Sequence, residues 1–353
     1  MKLPIEDISK VYYSAILHDV GIGLAYNESK EKIKDIEASA HEIHGKSIVM
    51  EFLNDAQIGE AVYAHHENWD GSGSLGLKGS QISLFAQMIR VSDYVDNHFR
   101  KELSYSDSKI EMRKAVEQEK GKLFSDEVTE AFLAMSEAEG YWLDYKNENI
   151  NLEFRKIEEY DKSTLDADQL INICSIYAKM VDEKSIYTLN HSKCISESMA
   201  GVTKLKGLSE ILQKKACISG LIHDLGKAAI LSSVINKPGP LTIEERNHIH
   251  SHPYYTRMIL ENIPGFEDIT QWASHHHELL NGKGYPNRFM GEDLDYFSRL
   301  LTVCDIYQAL SEERSYRRAM SKENAWNTVC EMRDGGMLCP EACSDFKLYI
   351  DLK

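Results

Sequence analysis

The sequence predicts an all-α protein made of two helical bundles in tandem, and three observations carry that prediction. Apolar residues recur at helical spacing, and no stretch longer than a few residues alternates with period two. At 353 residues the chain exceeds the ~250 at which a single core stops growing, and is comfortable for two domains. Most informative is self-similarity. AILHDVGIG around residue 18 returns as GLIHDLGKA around residue 223, and AVYAHHENWDGSG at 61–73 returns as WASHHHELLNGKGYP at 272–286. FAQMIRVSDYVDN at 85–97 returns as FSRLLTVCDIYQA at 297–309. The offset is 205 at the His-Asp pairs, 211 at the His-His pairs and 212 at the aspartates, as expected of a duplicated module with short loop insertions.

Taken in order, residues 1–145 form the first module and a polar, charged stretch at 146–165 is the connector. Residues 166–353 form the second module. Its first helix is marked by Leu170, Ile173, Ile176, Tyr177, Met180 and Val181, which fall on one helical face. After the Pro238-Gly239-Pro240 break, Thr242 and Glu245 have the spacing of a capping box that opens another helix.

Composition narrows the class. With 42% hydrophobic and 27% charged residues the chain is globular, and it has no membrane span or signal peptide, so a cytoplasmic protein is expected. A net charge of −16 argues against a nucleic-acid polymer as partner. Seven cysteines, an odd number with no CxxC and none before Cys174, are expected to be reduced and mostly buried.

The repeated motifs hold nine of the 14 histidines: His18, His41, His65, His66, His191, His223, His252, His276 and His277. In the second module His191 precedes the pair His223-Asp224, then His252, His276-His277 and Asp305. Imidazoles mixed with carboxylates suit iron, manganese, zinc or similar ions. Seven groups are too many for one tetrahedral ion but could serve two if a carboxylate bridges. A lone buried histidine is more often a core residue, yet the same ordered set appears twice. The first module repeats it as His18, Asp19, His41, His65, His66 and Asp93. His44, His98, His248, His250 and His275 have no repeated partner and read as surface or locally bonded groups.

At these residues the chain resembles the HD superfamily of metal-dependent phosphohydrolases. HDLGK at 223–227, KPGPLTIEE at 237–245, HHHELLNGKGYP ending at Pro286 and DIYQALSEERSYR at 305–317 resemble its HD-GYP subfamily. The resemblance is full over roughly 166–335 and weaker over roughly 10–100. It implies an all-α HD-type bundle with a metal centre that hydrolyses the 3′–5′ phosphodiester bonds of a cyclic dinucleotide through a metal-bridged hydroxide. Two divalent ions are expected, iron or manganese first, with zinc, nickel or magnesium as alternatives. A third is not, because Tyr187 stands where three-metal members carry Glu. By position, His191, His223, Asp224 and Asp305 would hold one ion and His252, His276 and His277 the other, with Asp224 bridging. Lys227 would meet a phosphoryl oxygen, and Tyr285, Pro286, Arg314 and Arg317 would line the substrate pocket. Asn281, Thr256 and Gln308 depart from the usual Asp, Gly and acidic residue.

The first module has Ile22 at the Lys227 position, aligns Ser74-Leu75 with Tyr285-Pro286, and has no histidine before His18. It reads as a truncated, degenerate copy that can still hold metal with fewer ligands and serves to regulate, stabilise or dimerise the second, or to dock a signalling protein. Cyclic di-GMP is the substrate expected first and 3′,3′-cyclic GMP-AMP second. A catalytically silent receptor for the same nucleotides and a mononucleotide-cleaving HD enzyme are the competing classes.

Overall fold

Side-chain caps set where many of the helices begin. The computed structural model describes residues 3–22, 40–146, 164–185, 190–313 and 319–353. The chain divides into two units, Met1–Thr164 and Leu165–Lys353. The first contains α1 (Ile5–Leu17), α2 (Ala40–Phe52), α3 (Ala56–Tyr63), α4 (Leu84–His98), α5 (Tyr105–Gln118), α6 (Asp126–Met135) and α7 (Glu139–Lys146). The second contains α8 (Ala167–Asp182), α9 (His191–Leu205), α10 (Glu210–Ile222), α11 (Ser232–Ile235), α12 (Ile243–His250) and α13 (His252–Leu260). It continues with α14 (Glu267–Ser274), α15 (Tyr296–Ser311), α16 (Lys322–Asp334) and α17 (Pro340–Leu352). Among the described residues there are only two isolated β-bridges and no strand, and no helix is long and apolar enough to cross a membrane. Residues 147–163 of the expected connector, and Tyr187, Arg314 and Arg317, lie outside the described residues.

Asp55, Ser83, Ser104 and Ser125 accept from the first-turn amides of α3 to α6. Thr242 and Glu245 form the reciprocal capping box expected at α12, with bonds of 3.1 and 2.7 Å. A cap of this kind is worth about 1 kcal/mol. The α8 stripe differs from the sequence expectation. The helix forms, but its buried face is Cys174, Ala178, Val181 and Asp182, and Tyr177 is exposed. Small residues face α10, so larger neighbours in the stripe are left on the flanks.

The second unit is centred on α15, buried from Ser298 to Asp305 apart from its solvent edge. Leu300, Leu301, Val303 and Cys304 share a core with Ile195, Met199 and Val202 of α9 and with Phe346 of α17. This places Asp305 on a rigid rod inside the bundle. All seven cysteines are free thiols, and four of them are buried.

The duplication extends to element boundaries. Helices α1 and α10 begin and end 205 residues apart, and α3 and α14 do so at 211. Two glycines show why. A Cβ on Gly21 would fall 2.0 Å from the His41 carbonyl oxygen, and one on Gly226 would fall 1.9 Å from that of His252. In each unit the turn after His-Asp presses against the helix that begins near the next histidine, which only glycine allows.

Candidate metal centre

In the second unit the chain folds so that helix ends aim histidines at one point. His223 caps α10, His252 opens α13, His276 follows α14 and His191 opens α9. The Nδ1 atoms of His223, His252 and His276 lie 2.8, 2.7 and 2.6 Å from the carbonyl oxygens of Gly220, Ile249 and Ala273, each three residues back. A carbonyl can only accept, so Nδ1 carries the proton and Nε2 presents its lone pair. The same bonds satisfy carbonyls that a helix end leaves orphaned.

Those Nε2 atoms surround two carboxylates. His252 and His276 lie 3.1 and 3.8 Å from Asp224 Oδ1, while His223 lies 3.3 Å from Asp224 Oδ2. His191 Nε2 is 3.2 Å from Asp305 Oδ1 and 3.9 Å from Asp224 Oδ2. His277 Nδ1 lies 3.6 Å from Asp305 Oδ2. Three overlapping sets have ligand atoms within 4.8 Å of one another: His191-His223-Asp305, His223-Asp224-His276 and His252-His276-His277. Asp224 thus lies between the two groups named from the sequence.

Burial and charge fit a cation. All seven are buried except His277, which is partly exposed. His223 Nε2 and Asp224 Oδ1 are buried without a hydrogen bond, an arrangement that costs about 1–3 kcal/mol per group unless an ion completes it. Burial alone would raise the Asp224 carboxyl, but Lys227 and His223 outweigh it and hold it well below the usual range. Burial likewise opposes protonation of His191, yet Asp305 and Glu312 push it up to about 9. The carboxylates therefore demand positive charge at this spot, which a proton or a metal ion can supply. Burial, reinforced by the neighbouring histidines, keeps His276 well below its ordinary value.

Lys227 sits 2.5 Å from Asp224 Oδ2, its ammonium partnered by a carboxylate. The Tyr285 ring lies over His277 at 4.7 Å and stacks on His250 at 3.9 Å and 9°. His250, read from the sequence as a surface or locally bonded group, therefore backs the tyrosine at the edge of the site. Pro286 follows Tyr285 through a cis peptide.

Three residues escaped sequence reasoning. Glu312 Oε2 accepts from His191 Nδ1 at 2.9 Å, the carboxylate–histidine arrangement that orients a metal ligand. Buried Glu278 accepts from the amides of Asn287 and Phe289 at 2.7 and 3.1 Å, holding the loop after the histidine pair. Glu67 does the same for Leu75 and Leu77 at 2.8 and 2.7 Å. The signal was present, since HHE occurs in both repeats. Gly73 and Gly284 allow the loop to cross over Glu67 and Glu278. These bonds also correct the register: Leu75 matches Asn287 rather than Pro286, so Tyr285-Pro286 stands opposite Ser74 alone.

Two departures acquire structural roles. Asn281 Oδ1 accepts from the Lys283 amide at 3.1 Å, as Asp70 accepts from Ser72 at 2.9 Å. The turn needs an acceptor and no charge. Thr256 Oγ1 donates to the His223 carbonyl at 3.0 Å and accepts from Gly226 N at 2.9 Å, tying down the His-Asp turn.

In the first unit Asp19, His41, His65 and His66 offer ligand atoms within 4.8 Å of one another. Asp19 Oδ1 is 3.6 Å from both His41 and His65 Nε2, and those two nitrogens are buried without hydrogen bonds. His18 reaches Asp19 Oδ2 at 3.4 Å. Asp93 lies 3.8 Å from His66 but accepts from Asn97 at 2.7 Å, and neither it nor His18 joins the four-residue group.

Models of the HD domain match residues 1–98 and 175–337. The chain is 27% identical over 336 residues to 3′3′-cGAMP-specific phosphodiesterase 1 of Vibrio cholerae, covering 92% of this chain and 77% of that one. It is 27% identical to 3′3′-cGAMP-specific phosphodiesterase 3 of the same organism, covering 80% and 60%. Cyclic di-GMP phosphodiesterase PA4108 of Pseudomonas aeruginosa is 32% identical over 41% of this chain and 35% of its own length. The fold is similar to the crystal structure of V-cGAP3, a cyclic GMP-AMP-specific phosphodiesterase of V. cholerae, with a TM-score of 0.70 and 21% identity over all of this chain and 89% of that one. Two family models, a shared helical architecture and the GYP string beside the second histidine pair agree: the chain belongs to the HD-domain family, as a tandem pair whose second member is of the HD-GYP type.

Proposed function

We propose that the chain is a phosphodiesterase that hydrolyses 3′,3′-cyclic GMP-AMP at the second unit, using two divalent ions, iron or manganese. The carrying observation is the convergence of five histidines and two aspartates around unsatisfied His223 Nε2 and Asp224 Oδ1. Hydrolysis of a cyclic dinucleotide agrees with the names of the relatives; the order of preference departs from the sequence expectation. Relatives aligned over 92% and 80% of the chain carry 3′3′-cGAMP names, whereas the cyclic di-GMP enzyme PA4108 aligns over 41%.

His191, His223, Asp224 and Asp305 would hold one ion and His252, His276 and His277 the other, with Asp224 shared. Bound there, the ions would supply Lewis acidity, water ionised at neutral pH and neutralisation of phosphate charge. The chain's own groups do the rest. Nδ1–H bonds to backbone carbonyls and to Glu312 fix four imidazoles, those of His191, His223, His252 and His276, in the lone-pair-inward tautomer, while His277 turns its Nδ1 toward Asp305. Lys227, whose ammonium pairs with Asp224 here, would be free to turn to a phosphoryl oxygen once that carboxylate were neutralised by bound cations. Tyr285, backed by His250, gives a base a flat wall, with Pro286 shaping its edge; Arg314 and Arg317, outside the described residues, are assigned to the substrate by the family resemblance alone. Water adds to phosphorus, one P–O bond to ribose breaks, and the leaving oxygen takes a proton.

The first unit holds at most one ion, on Asp19, His41, His65 and His66, and is a non-hydrolytic partner. It offers Ile22 where the second offers Lys227. If His65→Ala abolished turnover while the second unit kept its full metal content, that assignment would fail. The overall test is product chromatography with 3′,3′-cyclic GMP-AMP and cyclic di-GMP side by side, under anaerobic iron and under manganese. Faster cleavage of 3′,3′-cyclic GMP-AMP is expected. Two uncut dinucleotides would establish a receptor, and preferential cleavage of dNTPs or AMP would establish a nucleotidase.

A further inference from the structure

A cavity of about 680 Å³ lies between α9, α15, α16 and α17, and none of the seven candidate ligands lines it. Its size falls in the range of small-molecule sites, about 300–1,000 Å³. Cys194 and Ser198 on its wall are three and seven residues past His191 on α9, and Gln308 is three past Asp305 on α15. It therefore runs along the same two helices that carry His191 and Asp305, one to two turns away.

Two features of the lining specify a ligand. Tyr307, Trp326 and Tyr349 present aromatic surface, and Lys322, Lys347 and Lys353 bring ammonium groups to the same space. Lys347 Nζ lies 5.8 Å from the Trp326 ring centroid, within cation–π reach, and is held by Asp351. Glu323 and Asp351 are the acids in the lining; Lys347 is paired with Asp351 and Lys353 with Glu197 at 2.9 Å, so exposed Lys322 is the lysine that the ion pairs across this cavity do not engage. Flat rings beside cations are complementary to one planar base carrying one phosphate.

A hydrogen-bond chain leads out of the cavity. Gln308 Nε2 donates to Glu312 Oε1 at 2.7 Å, and Glu312 Oε2 accepts from His191 Nδ1 at 2.9 Å. A molecule that engages Gln308 changes the partner of the carboxylate that orients His191.

We propose that this cavity is a nucleoside monophosphate site, with the base against Trp326 and the phosphate toward Lys322 and Lys347, coupled through Gln308 and Glu312 to His191. The coupling, though not the cavity, rests on His191 being a metal ligand. The test uses the full chain carrying Asp224→Ala together with Lys227→Ala, with chelator, so that neither a metal ion nor a freed Lys227 ammonium at the metal centre contributes phosphate affinity. Calorimetric titration with GMP and with AMP is expected to give one saturable site. Guanosine alone and inorganic phosphate alone should bind at least tenfold more weakly, and Lys322→Glu should cost at least tenfold in affinity with an unchanged melting curve. No saturable binding, equal binding by phosphate alone, or indifference to Lys322→Glu would overturn the site. Lys347→Glu is expected to weaken binding in the same way, and should it fail to fold, exposed Lys322 carries the test alone. In the chain with its native Asp224 and Lys227, saturating GMP should shift the manganese-binding midpoint at least threefold, and Lys322→Glu should remove the shift. Binding to the doubly substituted chain without that shift would overturn the coupling and leave the proposed metal centre intact.

Discussion

The two units build the same socket and fill it differently. His65 and His66 stand 4.0 Å apart, centroid to centroid, at 46°, and His276 and His277 have the same separation and angle. The crossing glycines and the loop-holding glutamates also correspond. What differs is the far side. Asp305 faces three histidines, including His191, within 4.0 Å, whereas Asp93 is taken up by Asn97 and lies beside Arg90. Asp19 is 45% exposed and Asp224 only 4%. A scaffold can thus preserve the geometry of a histidine pair after the carboxylate environment that would draw in a second ion has gone.

Several substitutions break or sharpen this comparison. The largest effect is expected from Asp224→Ala, which should lower turnover on the order of 10³-fold or more and remove bound metal, since the shared carboxylate is lost. Asp19→Ala should leave turnover within about threefold, a contrast read by steady-state rates and metal analysis on the same preparations. Glu312→Gln has no counterpart in the first unit. It should weaken metal binding or activity about 10–100-fold by loosening His191, seen in manganese titrations.

Glu278→Ala and Glu67→Ala should each destabilise by about 2–4 kcal/mol in denaturant titrations, because two loop amides lose a buried acceptor. Only the first should also reduce turnover. Thr256→Gly, which installs the residue found at Gly45, should cost about 1–3 kcal/mol from two lost hydrogen bonds and added chain freedom.

The smallest effect concerns pH. Burial, then Glu67 and Asp19, pushes Glu42 up to about 7. The folded state therefore favours the protonated acid, and that contribution is complete below about 4.5 and lost as pH rises through about 7. In chelated protein, wild type should lose melting temperature relative to Glu42→Gln across that interval.

The helical class and the duplication were legible because both are written in spacing: period 3.6 within helices and offsets of 205 to 212 between copies. Motif order led to the family for the same reason. The α8 face was misjudged because hydrophobicity ranked Tyr177 above Ala178, whereas close approach to α10 selects small side chains. Glu312 was hidden in a polar run where nothing local separates a surface glutamate from one that orients His191. The one-residue slip at Tyr285-Pro286 was invisible to alignment by letters, since hydrogen bonds to Glu278, not residue types, fix the loop.

The sequence alone therefore determined the inventory: which helices form, how often the module occurs and which chemical groups are available to bind a cation. Tertiary structure decided which imidazole nitrogen faces inward, which carboxylates lose water and which amides share a buried acid. Those outcomes depend on groups far apart in the chain meeting at distances of about 3 Å, where burial multiplies the strength of each electrostatic contact.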